Sequence, residues 1–124
     1  MSIAAMEFMN NLMQSMGIPY EFMRYTTQPP DLYFVGSYLE VPSATREENG
    51  RQDITFILRG YARGNWMLLE QDKAKIEKHA PQTAVLPDGT GIAVFYAGAD
   101  VVPSFDSDIV SMKINLEINE WSVN

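Results

Sequence analysis

The most constraining feature of the sequence is a strict alternation of apolar and polar side chains near its carboxyl end. Apolar residues occupy every second position from Met112 to Ile118, polar residues lie between them, and Trp121 follows in phase with the polar set. Because successive side chains of a β-strand point to opposite faces of a sheet, this pattern predicts a strand with one face in a core and the other in water. Such strands are typical of antiparallel sheets covered on one side.

Two segments have the periodicity of amphipathic helices. The first covers residues 3–16 and is followed by Gly17, which suits a left-handed cap. Its apolar stripe consists of Ile3, Met6, Met9, Met13 and Met16. The second begins after the N-cap residue Asn65 and ends at Pro81. Its inward stripe is predicted to be Trp66, Leu69, Lys73, Ile76 and Ala80, and its solvated outer face Glu70, Asp72, Lys75, Glu77 and Lys78.

Further strands are predicted by aromatic and branched residues between turn residues. A short extended stretch is expected within residues 20–25 and a strand at 32–41, where Gly36 indicates a bulge or a close backbone approach. Asn49-Gly50 predicts a hairpin tip before a return strand at 52–62. Residues 84–86 and 91–97 predict a second hairpin, followed by a loop over 98–108. The order α-β-β-β-α-β-β-β indicates a single α+β domain over residues 1–124, with a largely antiparallel sheet and two packed helices.

Composition narrows the possible chemistry. Nine Lys and Arg against sixteen Asp and Glu give a net charge of −7, which opposes binding to a phosphate backbone. Cysteine is absent and His79 is the only histidine, so no thiolate site, His-His metal pair or Ser-His-Asp triad can form within one chain. His79 is interpreted as a residue of the last helical turn. We therefore expect a soluble protein with no membrane span, no cofactor, no metal site and no enzymatic activity.

Weaker patterns leave some alternatives open. Asp106 and Asp108, with Asp100 before them, could hold a hard cation but are interpreted as a solvated loop. Residues 88–91 are interpreted as a hairpin turn, because they lack the glycines and lysine of phosphate-binding loops. Two other functions remain possible: an enzyme that uses only carboxylates or a site between subunits, and a module that binds a small ligand or peptide. The pocket of such a module would be lined by Tyr20, Phe22, Tyr25 and Tyr33.

Motifs spread over residues 20–123 carry a resemblance to a known group of proteins. They are the strand 33–36, the acidic hairpin ending at 48–50, the segment 55–64 with the helix after it, and residues 93–96, 102–104 and 114–123. In these segments the chain resembles the small neck and tail proteins of long-tailed bacteriophages and prophages of Gram-positive bacteria. Within that group it is most similar to the tail terminator, or tail completion, proteins, which are sometimes labelled minor capsid proteins.

This resemblance implies a structural role in the virion. It implies a homo-oligomeric ring, usually of six subunits, that caps the tail tube, stops its growth and joins it to the neck or head completion protein. DNA would pass through the ring without specific binding, and an acidic lumen would repel its phosphates. The protein would be made in the bacterial cytoplasm and located in the virion. Tail tube and head completion proteins of similar size remain alternatives.

Under this hypothesis two segments are expected to contact a neighbouring subunit or the tube. One is the charged loop 44–51, and the other is an apolar group in the predicted loop before the last strand. The interface residues expected on these grounds are Arg46, Glu47, Glu48, Arg51, Val101, Val102 and Phe105.

Overall fold

The computed structural model describes residues 1–40, 51–102 and 108–121. Within these ranges two helices and six strands follow one another in the predicted order α-β-β-β-α-β-β-β, which confirms an α+β fold. The helices are α1 (Ile3–Ser15) and α2 (Trp66–His79). The strands are β1 (Tyr20–Phe22), β2 (Leu32–Glu40), β3 (Arg51–Arg63), β4 (Gln82–Val85), β5 (Gly91–Val102) and β6 (Ile109–Trp121). The predicted hairpin tip at Asn49-Gly50 lies outside the described residues.

All six strands belong to one sheet, in the order β1-β2-β3-β6-β5-β4. Every neighbouring pair is antiparallel except β1 and β2, which run parallel with Tyr20 beside Phe34. The central pair is β3 and β6, which stay in register from Arg51 beside Trp121 to Arg63 beside Ile109. The last strand therefore lies in the middle of the sheet, between two strands that precede it in the sequence.

The core lies between one face of this sheet and the two helices. The alternation of β6 buries Met112, Ile114, Leu116 and Ile118, as the sequence predicts. Helix α2 packs against β3 and β6, and α1 packs against β1. The main contributors from other elements are Ala5, Met9, Met13, Phe34, Ile54, Phe56, Leu58, Leu69, Ile76, Ile92 and Val94. None of the helices in the described ranges is long and apolar enough to cross a membrane.

Both helices begin at capping residues that satisfy free backbone N–H groups. The Ser2 hydroxyl accepts a bond from the Ala5 backbone N–H, and the same hydroxyl donates to the buried Glu120 of β6. The Asn65 side chain accepts from the Met67 N–H at 3.0 Å, which confirms the predicted N-cap. Gly17 follows α1 with a φ of 71°, the left-handed conformation expected of a C-terminal cap.

Glycine also allows close packing in the centre of the sheet. A Cβ atom on Gly36 would lie 2.6 Å from the Tyr20 hydroxyl and 2.8 Å from the Phe56 ring, which confirms the predicted close approach. A Cβ atom on Gly60 would overlap the Phe34 ring and lie 2.9 Å from the Leu69 side chain. A larger residue at either position would therefore push apart the side chains that form the core.

The helical stripes differ from the prediction at three positions. Ile3 is 75% exposed and Trp66 is 60% exposed, because both stand in the first turn of their helices, at the margin of the core. Asp72 was expected in the solvated face of α2, yet it is only 6% exposed. It lies three residues after Leu69 and four before Ile76, so it shares the face that packs on the sheet.

The loop predicted over 98–108 is also partly wrong, because β5 continues through Val102. The register between β5 and β6 shifts between Tyr96 and Ala99, and Gly98 takes a φ of 109° within this irregularity. Such a bulge interrupts the ladder without ending it. Beyond the bulge, Ala99 and Val101 pair with Ile114 and Met112, so the strand keeps its place in the sheet.

Candidate functional site

The predicted interface residues are not brought together by the part of the fold that is described. Arg51 begins β3, where its Nε atom lies 2.9 Å from Asp53 Oδ1 and its guanidinium lies 6.0 Å from the centre of the Trp121 ring. Val101 is 63% exposed near the other end of the sheet, beside Met112. Because Met112 and Trp121 are nine residues apart on β6, about 30 Å separate these two sites. Arg46, Glu47, Glu48 and Phe105, together with the side chain of Val102, lie outside the described residues.

The helices leave most of the opposite side of the sheet uncovered within the described chain, although Ala93 and Asn119 are buried near one end of that side. We call this surface the open face. It comprises Tyr33, Val35, Ser37 and Leu39 of β2, Thr55, Ile57, Arg59 and Tyr61 of β3, Phe95 and Asp100 of β5, and Ser111, Lys113, Asn115 and Glu117 of β6. Its side chains are half-buried or exposed, whereas those on the helix side of the same strands are mostly buried.

Three tyrosines form a continuous aromatic group at one end of the open face. The rings of Tyr33 and Tyr61 are stacked with their centres 5.1 Å apart, and the edge of Tyr25 meets Tyr33 at the same distance. Burial, and then the charges of Glu21 and Tyr33, raise the pKa of the Tyr25 hydroxyl. A shallow groove of about 460 Å³ runs beside these rings. We call it the tyrosine groove; it is lined by Met23, Arg24, Tyr25, Pro29, Tyr33, Val35, Arg59 and Tyr61.

A strained turn brings Tyr25 onto this face. Met23 has a φ of 71°, and no other non-glycine residue in the described ranges has a positive φ. Its N–H donates to the Gly36 carbonyl at 2.7 Å, which ties the turn to β2. The carboxylate of Glu21 then accepts bonds from the N–H and hydroxyl of Thr26. The chain is thereby redirected after β1 from the helix side of the sheet to the open face.

This turn explains why the pocket predicted from four aromatic residues does not form. Tyr20 and Phe22 point to the helix side, where Phe22 lies 6.0 Å from Tyr38 between ring centres. Burial there raises the pKa of the Tyr20 hydroxyl well above its usual range. Tyr25 and Tyr33 lie on the opposite side of the sheet. The sequence predicted a shared pocket because proximity along the chain does not reveal a reversal of face at Met23.

Cations without an ion-pair partner are concentrated on the open face. Across the described residues, Arg51, Arg63, Lys73 and Lys75 form ion pairs with carboxylates. The described cations outside those pairs are Arg24, Arg59, Lys78 and Lys113. Three of these four border the open face, and Arg59 lies directly opposite Lys113 in the strand register. The sequence did not predict a role for Arg24, Arg59 or Lys113, although Arg59 and Lys113 occupy polar positions of alternating strands.

The described residues contain no cluster of His, Cys, Asp and Glu able to hold a metal ion. Of the candidate acidic cluster, Asp106 lies outside the description and Asp108 pairs with Arg63 at 3.2 Å. His79 lies in the last turn of α2, with Nδ1 2.8 Å from the Lys75 carbonyl, as interpreted from the sequence. At residues 88–91 the Thr90 N–H donates to Asp88 and lowers the pKa of that carboxyl, which is the arrangement of a hairpin turn.

The sequence matches no protein-family model and no curated protein. The surfaces described above are therefore the basis on which a function can be argued. The most prominent are the open face, the tyrosine groove beside it, and exposed apolar side chains at the edges of the fold.

Proposed function

We propose that this protein is a structural subunit of the neck or tail of a long-tailed phage, a tail terminator that forms a ring on the tip of the tail tube. The ring caps the tube, stops its growth and joins it to the neck or head completion protein. DNA passes through it without specific binding. The proposal starts from the resemblance of the sequence to this group of proteins and depends further on how the described surface is arranged.

The observation that carries the proposal is the number of separate apolar surfaces on one small subunit. Val85 is 80% exposed on the edge strand β4, and Val101 is exposed near the far end of β5. Trp66 and Met67 are exposed at the start of α2, and Leu39 is exposed on the open face. These positions belong to different elements and different sides of the sheet.

A ring subunit requires such an arrangement for a geometric reason. Head-to-tail contacts in a ring use two different surfaces of each subunit, one for each neighbour. A ring placed between a tube and a neck uses two more surfaces, above and below. Adjacent exposed apolar side chains, such as Trp66 and Met67, are typical of association surfaces, whereas a single one such as Val85 is common on any protein surface. The net charge of −7 also suits a ring through which DNA passes, because it disfavours binding to phosphate.

The test is a capping experiment with the cognate tail tube protein. Tubes polymerising in solution should stop growing when this protein is added, at about one ring of six subunits per tube end. Val101→Asp should abolish capping if the end of β5 contacts the tube, because the buried carboxylate would lack a partner. Ile3→Asp is the matched control, since it makes the same change at an exposed position of α1. Tubes that continue to lengthen with the unmodified protein would rule out the terminator role.

A second candidate function is supported by the tyrosine groove. Its volume of about 460 Å³ lies within the range of small-ligand sites, and Arg24 and Arg59 border it. A module that binds a peptide or small anionic ligand would use these residues instead of the edges of the fold. Tyr33→Ala and Arg59→Ala would then abolish binding, whereas both variants should retain capping under the first proposal.

A further inference from the structure

The open face has apolar side chains at its centre and no cover within the described chain. Val35 and Ile57 are half-buried there, and Leu39 is 66% exposed. A sheet with helices on one side only has a second face available for packing, and two such faces can pack on each other.

The charges on the open face are arranged in rows across the strands. Arg59 and Lys113 lie opposite each other and form a cationic row, at whose β5 end the exposed carboxylate of Asp100 lies opposite Lys113. Four residues further along β6 is the exposed carboxylate of Glu117, opposite Thr55. The neutral pair of Ile57 and Asn115 lies midway between the two rows. Lys113 and Glu117 are about 13 Å apart along the strand, which is too far for an ion pair between them within one subunit.

We propose that the open face binds the open face of a second copy of this chain, across a twofold axis that crosses the strands at Ile57. Rotation about this axis places the row of Arg59, Lys113 and Asp100 on the row of Thr55, Glu117 and Phe95 of the second copy. Lys113 then faces Glu117 of the second copy, and this contact occurs twice. Leu39 gains an apolar neighbour in Val35 of the second copy, and the two Ile57 side chains meet at the axis.

Charge favours this axis over a twofold axis that runs parallel to the strands between β3 and β6, at the centre of the open face. That axis would place Arg59 on Lys113 of the second copy, twice, and like charges facing each other would repel. The axis across the strands places opposite charges together. The cations at the ends of β3, Arg51 and Arg63, add little repulsion in this arrangement, because they form ion pairs with Asp53 and Asp108 within one subunit.

The dimensions of the open face predict a weak dimer. Seven residues along each strand and four strands across give about 23 Å by 19 Å, or roughly 440 Å² per partner. Twice this area lies in the size class of weak and transient interfaces, so we expect a dissociation constant in the micromolar range or weaker. The pair closes on itself and neither builds nor requires a ring. Pairing of two open faces is therefore independent of tube capping and can be tested separately.

Sedimentation equilibrium over a concentration series up to millimolar, at low and high salt, tests the pairing. The mass should rise from 14.0 kDa towards twice that value, and added salt should weaken the association. Lys113→Glu and Glu117→Lys alone should each raise the dissociation constant about tenfold to a hundredfold. The double variant should return it to within about threefold of the original value, because each pair is restored with its charges exchanged.

Matched controls separate this contact from the effect of net charge. Lys78→Glu and Glu77→Lys make the same charge changes on the exposed face of α2 and should leave the dissociation constant unchanged. Ile57→Asp places two carboxylates at the axis and should give a monomer throughout the series, with circular dichroism confirming that it is folded. A monomeric parent protein would overturn the proposal. So would a dimer or ring indifferent to both the charge reversals and Ile57→Asp.

Discussion

The two faces of the sheet are built from the same strands but differ in how deeply their side chains are buried. On the helix side, Phe56 and Leu116 are opposite each other and almost completely buried. One residue along, Ile57 and Asn115 are opposite each other on the open face and only half-buried. The helix side therefore contributes most of the stability, and the open face can accept substitutions that change contacts with partners while the fold persists. Substitutions at neighbouring positions can test this division.

The largest expected difference is between Phe56 and its neighbour Ile57. Phe56→Ala removes a buried ring and should lower the free energy of unfolding by about 3–5 kcal/mol. Ile57→Ala should cost less, about 1–2 kcal/mol in the monomer, because the Ile57 side chain is only half-buried. Urea denaturation followed by circular dichroism at low protein concentration measures both. Similar costs for the two variants would show that the open face is covered in solution.

A smaller loss of stability is expected when the helix side is overfilled. Gly60→Ala would place a methyl group in overlap with the Phe34 ring and 2.9 Å from Leu69, so the core must shift. We expect a cost of about 1–3 kcal/mol, measured by the same denaturation. Ser37→Ala, a small change on the open face, serves as the control. If Gly60→Ala left the free energy of unfolding unchanged, the core would have more free space around Gly60 than the described packing shows.

Asp72 is the exception on the helix side and gives a pH-dependent prediction. Burial raises the pKa of the Asp72 carboxyl above the usual 3.8. Lys75, whose Nζ lies 3.6 Å from Asp72 Oδ1, lowers this pKa in part. The Oδ2 atom of Asp72 has no hydrogen-bond partner. The folded state thus binds the proton of the Asp72 carboxyl more tightly than the unfolded state does. The stability gained from this tighter binding is present below pH 3.8 and is lost as the pH rises through the folded-state pKa of Asp72.

Asp72→Asn should therefore stabilise the protein at neutral pH, by about 1 kcal/mol. The advantage should disappear in acid below the usual carboxyl pKa, where Asp72 is protonated in both states. Thermal unfolding of the parent and the variant across this pH range measures the difference. An advantage that is constant with pH, or a variant less stable at neutral pH, would show that the ion pair with Lys75 outweighs the cost of burial.

The smallest effect on stability is expected on the open face itself. Arg59→Ala removes an exposed cation that forms no ion pair within the described chain, so the free energy of unfolding should change by less than about 0.5 kcal/mol. Removing this charge should nevertheless alter contacts made through the face or the tyrosine groove. A large loss of stability would mean that the Arg59 stem supports packing within the subunit.

Local sequence patterns predicted most of the elements, because they depend on neighbours along the chain. The alternation of β6, the N-cap Asn65 and the glycine Gly17 were all confirmed on this basis. The errors arose where distant elements decide the outcome. Asp72 has the local context of a surface residue, yet the packing of α2 on the sheet buries it. The strand β5 continues past Gly98 because β6 provides a pairing partner on the other side of the bulge.

The candidate site was less predictable than the fold for the same reason. Tyr33 and Tyr61 lie far apart in sequence and meet through the pairing of β2 with β3, and a positive φ at Met23 brings Tyr25 onto the same face. Arg59 and Lys113 become neighbours only through the pairing of β3 with β6. Arg51 and Val101, which the sequence suggested as interface residues, stand at opposite ends of the sheet. Spacing along one strand contains no information about which residue lies across it.

By itself, the sequence determined that this chain forms an α+β fold with a sheet covered on one side, and that thiolate and His-triad chemistry are not available to it. Both conclusions follow from residue types and short-range periodicity, because neither depends on contacts between distant segments of the chain. Only the tertiary structure decided that β6 lies at the centre, that β1 runs parallel to β2, and which cations and aromatic rings share the open face. Those features depend on strand pairing between distant segments, whose free energy is gained only when the whole sheet packs against its helices.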